Sequence, residues 1–473
     1  VFDGQALMVY RPEYKYGVMI VYIASLFIQI LDATVVNVAL PALADEFAVS
    51  ITNVDTVAVG FSVALAMSIP VAGWLSDRFG SRSVFLFALA VFTGSSALCG
   101  AATSLDQLVL FRILQGVGAG LITPVGSAML FRAFPIEERA VAANAVLSVA
   151  VIAPAMGPVL GGAIVDNASW RWIFLLNVPI GSAAFILSCL WLRNDESAPA
   201  GRFDFPGFVL SASGLAGIVY AVSIAPDRGW LAGSTLLFGI GGILALVLLV
   251  PVENRLENPL LHVRLLGERL FRTLNLLGVF FYGGFIGLLI ILTLYLQRFR
   301  GFSAMEAGLA QAPQAIGVFL LSNLAGRHLY RRYGPRPMLI AGTSSAFVFS
   351  VLLVMVDANT PLVMVAGLMF LRGISVGAVF LPMQTAIYTN IPMPQLSRAT
   401  AVFNTQRQAA PAFGIALTTT TLAFAAPSVG LGPDSGMAGL AAYRWAILVA
   451  ALLLVPAMVM SLFIRSDDAG VTR

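Results

Sequence analysis

Residues 27–43 read FIQILDATVVNVALPAL, and this stretch decides the fold. It is an apolar run with one carboxylate, Asp32, near its middle. An ionised Asp at the centre of a membrane helix costs about 2.5–3.5 kcal/mol on insertion scales. The run is one of many. Of the 473 residues, 59% are hydrophobic and 11% are charged, and mean hydropathy is +0.90. A soluble chain carries about 25% charged residues. Repeated apolar runs of about 18 residues or more specify an all-α polytopic membrane protein. A β-barrel is excluded, because its strands would alternate with period two. The net charge of +4 does not point to nucleic acid, since the basic residues sit in loops between spans. Residues 1–15 are too polar for a signal peptide. With Val1 at the start, the native N-terminus is expected upstream.

A window of about 19 residues gives fourteen candidate spans. Six lie near 16–40, 53–76, 82–102, 107–131, 138–165 and 170–192, two near 205–225 and 232–252, and six near 271–297, 305–329, 336–356, 361–388, 397–425 and 440–464. With both termini cytoplasmic, the inner loops and tails hold 19 of the 27 Lys and Arg residues, whereas the outer loops hold five. That asymmetry orients the chain. It also places Trp170 and Trp172 at the outer interface.

The loop DRFGSR, 77–82, returns as RRYGPR, 331–336. Span 4 has LFRILQGVGAGLITPVGSA, 110–128, and span 12 has FLRGISVGAVFLPMQTA, 370–386. Both echoes keep the same order and side. Two six-helix halves follow, 1–195 and 258–473, with an inserted helix pair in 196–257. Such a parallel repeat is the plan of a transporter that rocks around a midplane site. The amphipathic stretch 258–272 is expected to lie along the inner interface.

Charges within the spans mark the candidate site. Asp32 and Arg112 fall at similar depth in the outer half, where they are expected to meet or to share a water-filled cavity. Ser25, Gln29 and Asp32 form one polar stripe, and Arg112 with Gln115 forms another. A carboxylate in such a place either couples protons or binds substrate, or it is a static ion pair holding spans 1 and 4 in register. Asn404 and Arg407, with Gln406 and Gln408, make the most polar patch of the second half, and Arg372 lies halfway down span 12. Asp55 reads as an interfacial residue. Pro154 and Pro158 should bend span 5, while Gly157 and Gly161 allow close helix approach. Gly116, Gly118 and Gly120 form a small face, not a dinucleotide loop, for no strand precedes them. Cys99 and Cys189 read as small core residues. His262 and His328 have no second ligand at metal spacing, and no G-x-x-x-x-G-K-[ST] is present. An enzyme, a cofactor and a metal are therefore not expected.

Taken together, these motifs resemble the major facilitator superfamily, and within it the fourteen-helix drug:proton antiporters. LDATVVNVALPAL (31–43) looks like that group's span-1 signature, and GWLSDRFGSR (73–82) is similar to the loop 2–3 motif. RILQGVGAG (112–120) resembles the span-4 motif linked to proton transfer. APAMGPVLGG (153–162) is similar to the antiporter motif, with Ala153 where Gly is usual. WRWIFLLNVPIG (170–181) and NTQRQAAPAFGIAL (404–417) also resemble the group, the latter departing at Ala409, Ala410 and Pro411.

The resemblance implies a major facilitator fold and proton-coupled export of hydrophobic or amphipathic compounds by a monomer in the inner (plasma) membrane. It makes Asp32 a coupling or recognition acid tuned by Arg112. Gly73, Asp77, Arg78, Gly80 and Arg82 become a cytoplasmic latch, in which Asp77 faces the positive N-terminus of a neighbouring helix. Gly157, Pro158, Gly161 and Gly162 shape an antiport gate. Arg331 replaces the latch acid in the second half. Alternative cargoes are a lipid, siderophore or secondary metabolite; an alternative of another class is a non-transporting sensor or scaffold.

Overall fold

The computed structural model describes residues 13–49, 54, 56–135, 138–193, 201–229, 232–256, 259–302, 304–322, 326–425 and 436–465. Within these residues the chain is helices joined by short turns. This is the expected answer to a bilayer, which offers no water to backbone N–H and C=O groups. In chain order the first helices are α1 (Tyr14–Phe47), α2 (Thr56–Ser68), α3 (Ala72–Phe79), α4 (Ser81–Gly100), α5 (Leu105–Ala133), α6 (Arg139–Asn167), α7 (Arg171–Leu175) and α8 (Asn177–Trp191). Next come α9 (Phe205–Arg228) and α10 (Gly233–Arg255). The remainder are α11 (Arg269–Leu294), α12 (Ala304–Leu320), α13 (Gly326–Tyr333), α14 (Pro335–Leu352), α15 (Leu362–Ala386), α16 (Leu396–Ala425), α17 (Gly436–Leu452) and α18 (Leu454–Leu462).

Among the described residues, ten helical stretches are long and apolar enough to span a membrane. They become eleven when α2 and α3, bent by 56° at their break, count as one. Length and apolarity alone therefore do not reach the expected fourteen. Asp55 lies outside the described residues.

The repeat is visible in the packing. In the first group α2 and α4 pack on α5, and α1 packs on α6 and α8. In the second, α12 and α14 pack on α15, and α11 packs on α16 and α18. The two loop echoes fold alike. Gly80 has φ 82° and donates its N–H to the Ser76 carbonyl at 2.9 Å; Gly334 has φ 76° and donates to the Tyr330 carbonyl at 2.9 Å. A positive φ there favours glycine, which explains why both loops keep it.

One expectation is corrected. Trp170 is only 4% exposed and donates its indole N–H to Glu46 Oε2 at 2.5 Å, whereas Trp172 is 57% exposed. A hydrogen-bond partner on α1 draws Trp170 inward. The described part of the amphipathic stretch, 259–272, is not one continuous helix. Leu260 and Leu261 are buried, a short 3-10 turn covers Val263–Gly267, and α11 begins at Arg269. Glu268 enforces the break by accepting the Phe271 N–H as N-cap.

Candidate functional site

Helices α1, α2, α4, α5 and α8 converge on Asp32. Arg112 Nη1 donates to Asp32 Oδ2 at 2.5 Å, and both residues are 1% exposed. Two amides donate to the other oxygen, Oδ1: Gln115 Nε2 at 3.0 Å and Asn177 Nδ2 at 2.7 Å. Both amides also donate to Ser96 Oγ at 3.1 Å. Gln115 Oε1 in turn accepts from Arg112 Nη1 at 2.7 Å. The guanidinium lies over the Phe61 ring, 4.0 Å from its centroid. Charge-assisted bonds and a cation–π face thus compensate the buried charges.

The sequence expectation that Asp32 and Arg112 meet is met. The pair is buried inside the first group of helices, with Gln115 and Asn177 bonded to the carboxylate and to Ser96 beside it. Asn177 and Ser96 were missed by sequence reasoning. Asn177 lies in the quoted 170–181 motif, so a polar residue in an apolar helix was available as its signal; Ser96 carried none.

Gln29 sits elsewhere. It accepts from Thr123 Oγ1 at 3.0 Å, one turn of α1 away from Asp32. Thr123 also lines a narrow cavity between the two groups of helices, with Tyr22, Gln384, Tyr388, Asn404 and Arg407. It has room for about one water molecule. Among the described residues no carboxylate lies within ion-pairing distance of Arg407; the buried tyrosines Tyr22, Tyr282 and Tyr388 surround it instead. Asn404 bonds back to the Thr400 carbonyl at 2.8 Å. The six residues expected at one site therefore divide: Asp32, Arg112 and Gln115 in a buried cluster, Asn404 and Arg407 at the cavity, and Gln29 between them.

The second half holds a counterpart that lacks the acid. Arg372 donates Nη1 to Gln314 Oε1 at 2.6 Å and Nε to Ser350 Oγ at 3.0 Å. It is as buried as Arg112, with an amide in place of the carboxylate.

Asp77 is buried at the end of α3 and accepts from Arg398 Nε at 2.6 Å. Arg398 belongs to the first turn of α16, so the acid does face that helix N-terminus. Gly73 lies against the start of α16: a Cβ there would sit at ordinary contact distance, 3.4 Å, from both Arg398 Cα and the Ser397 carbonyl oxygen. Nearby, Arg132 donates to Ser397 Oγ at 2.7 Å and Arg139 to the Tyr388 carbonyl at 3.2 Å. Phe131 and Tyr388 meet with ring centroids 5.1 Å apart. These cross-half partners were not legible in the sequence. Arg78 and Arg331 are exposed, and Arg82 donates to the Cys189 carbonyl within its own half.

On α6, which runs unbroken, a Cβ at Gly157 would lie 2.2 Å from Thr34 Oγ1, and one at Gly161 would lie 3.1 Å from Val38 Cβ. Gly162 faces open space. The side chain of Pro158 lies outside the described residues. Helix α6 also packs on α12 and α15 of the other half. Among the described residues no three His, Cys, Asp or Glu side chains gather as a metal site.

The Major Facilitator Superfamily model matches residues 22–415, and the chain belongs to that superfamily. It is 32% identical over 399 residues to the multidrug export protein EmrB of Haemophilus influenzae, across 83% of this chain and 78% of that one. It is 34% identical over 407 residues to the probable multidrug resistance protein EmrY of Escherichia coli, across 83% and 77%. The solved structure of the human organic anion transporter MFSD10 superposes with TM-score 0.66 at 15% identity, covering 94% of this chain and 99% of that one. At that identity the likeness concerns the fold.

Proposed function

We propose that this transporter exports hydrophobic or amphipathic small molecules from the cytoplasm in exchange for protons, by alternating access, in the inner (plasma) membrane with both termini cytoplasmic. The naming of relatives as multidrug export proteins supports the cargo class. The single observation that carries the coupling is the Asp32 cluster: one intramembrane carboxylate, fully buried, held by Arg112, Gln115 and Asn177 from two other helices. Donors on separate helices separate when those helices move. A carboxylate that loses its cation inside a membrane takes up a proton in place of the charge partner. Proton uptake is thereby tied to motion of α1 against α5 and α8.

In this reading the chain divides into halves 1–195 and 258–473 and a helix pair in 196–257, making fourteen spans. Asp77, Gly73 and Arg398 form the cytoplasmic latch, with Gly80 setting the turn and Arg78 and Arg82 flanking it. Gly157 and Gly161, with Pro158, shape the contact of span 5 at the gate, and Gly162 takes no part in that contact. The cavity beside Arg407 and Asn404 receives the cargo, through Gln29 and Thr123 on its Asp32 side. The role is transport, not catalysis, by a monomer.

The test is reconstitution in liposomes with an imposed pH gradient and a trapped pH-sensitive dye. A cargo compound should dissipate the gradient with wild type and not with Asp32→Asn, whose folding is checked by gel filtration. Equal dissipation by both proteins, for every active compound, would leave Asp32 a static ion pair.

A further inference from the structure

The inserted helices are not a detached appendage. Helix α9 packs on α2 of the first half and on α16 of the second, whereas α10 packs chiefly on α9. The segments that enter and leave the pair both end at the latch. On the entry side, Phe203 meets Trp74 of α3 edge to face, with centroids 4.9 Å apart. On the exit side, two buried carboxylates fix the backbone. Asp204 caps α9 by accepting the Gly207 N–H at 2.8 Å, and its other oxygen accepts the Leu260 N–H at 3.1 Å. Glu253, in the last turn of α10, accepts the Leu261 N–H at 3.0 Å. The next residue is His262, and its Nε2 is hydrogen-bonded to Arg398 Nη1. The same guanidinium gives its Nε to Asp77.

We infer that the inserted helix pair clamps the latch face, with His262 as the positioning residue that holds Arg398 against Asp77. The inference rests on the reading of Asp77 and Arg398 as the latch. A guanidinium only donates, so Nε2 must accept and the ring must be neutral, with its proton on Nδ1. Nδ1 is buried without a hydrogen-bond partner. The groups facing the ring are Arg398, Arg264 and, across Arg398, Asp77; Asp204 and Glu253 hold the backbone behind it. Burial, and then the Arg398 and Arg264 charges, push His262 down from 6.5 to about 4. The latched form therefore binds fewer protons than the released form. His262 supports the latch fully above pH 6.5 and loses that support as pH falls toward about 4.

The test uses the full chain in nanodiscs, with spin labels at two exposed positions on this face, Ser83→Cys and Gln395→Cys, in a Cys189→Ser background. Wild type at pH 8 should give one short distance. Asp77→Asn should populate a longer one. His262→Ala should raise the long-distance population about tenfold, the loss of roughly one charge-assisted hydrogen bond. His262→Gln keeps an acceptor oxygen and cannot titrate, so it should stay closed at pH 5.5, where wild type widens severalfold. Trp74→Leu, which removes the entry-side contact, should widen the face by less. If Asp77→Asn opens the face and His262→Ala does not, the clamp is wrong and the latch stands. If Asp77→Asn does not open it, the latch reading itself fails. Equal widening of wild type and His262→Gln at pH 5.5 would overturn the neutral-acceptor role.

Discussion

Removing one member of the Asp32–Arg112 pair should be costly, and removing both should be cheaper than the sum. Asp32→Ala leaves a guanidinium that is 1% exposed with the Gln115 carbonyl and, at 3.4 Å, the Val57 carbonyl as its remaining acceptors. Arg112→Met leaves a carboxylate with two amide donors and no cation. Breaking a buried pair costs about 3–5 kcal/mol because the surviving charge has nothing to replace the water it lost. Two independent losses would therefore total about 6–10 kcal/mol. In the double variant Asp32→Ala/Arg112→Met no charge survives. What remains is unsatisfied polarity at Gln115 and Asn177, about 1–3 kcal/mol for each group. At the middle of these ranges the expected coupling is about 4 kcal/mol in favour of the double variant, well above the roughly 0.3–0.5 kcal/mol scatter of independent sites. Unfolding in mixed micelles by added SDS, followed by helical circular dichroism, measures all four proteins. Additive single costs would refute the argument. They would mean that water reaches the cluster and solvates each charge on its own.

The antiport gate gives a contrast between neighbouring glycines. Gly157→Ala should reduce dye-reported transport at least tenfold and lower stability by about 1–3 kcal/mol, because its Cβ meets Thr34; Gly162→Ala should behave as wild type. Adding Thr34→Gly should restore much of the Gly157→Ala loss, and failure to do so would remove the steric explanation. In the second half, Gln314→Leu should destabilise by about 1.5–3 kcal/mol through loss of the Arg372 acceptor, measured in the same SDS titration, and Gln314→Glu should not. At the cavity, Arg407→Gln should weaken binding of an anionic amphiphile about tenfold by fluorescence titration and leave a neutral one unchanged, since no carboxylate among the described residues neutralises Arg407.

Much of this was legible in the chain because a membrane restricts the choices. Apolar runs must be helices, since no other unclosed element satisfies its backbone in lipid. Asp32 and Arg112 could be paired on paper because they share a depth and because unpaired charge is expensive there. The loops at 77–82 and 331–336 announced the repeat because their glycines occupy a backbone conformation that other residues avoid.

Depth and spacing say nothing about rotation about a helix axis or about which helices touch, and that is where the sequence ran out. Gln29 and Asp32 share a stripe on α1, yet one faces Thr123 and the other Arg112, since a single turn moves the neighbour from one group of α5 side chains to another. Asn177, 145 residues from Asp32, reaches it only through the packing of α8 against α1. The sequence alone determined a helical membrane chain with a repeat, one intramembrane acid and its cation. Tertiary packing decided that the pair is buried, that Arg398 answers Asp77 from 321 residues away, and that the inserted helices deliver His262 to that same guanidinium. The physical reason is that a hydrogen bond between helices depends on their relative rotation and approach, and those are set by how small and large side chains interlock over the whole bundle.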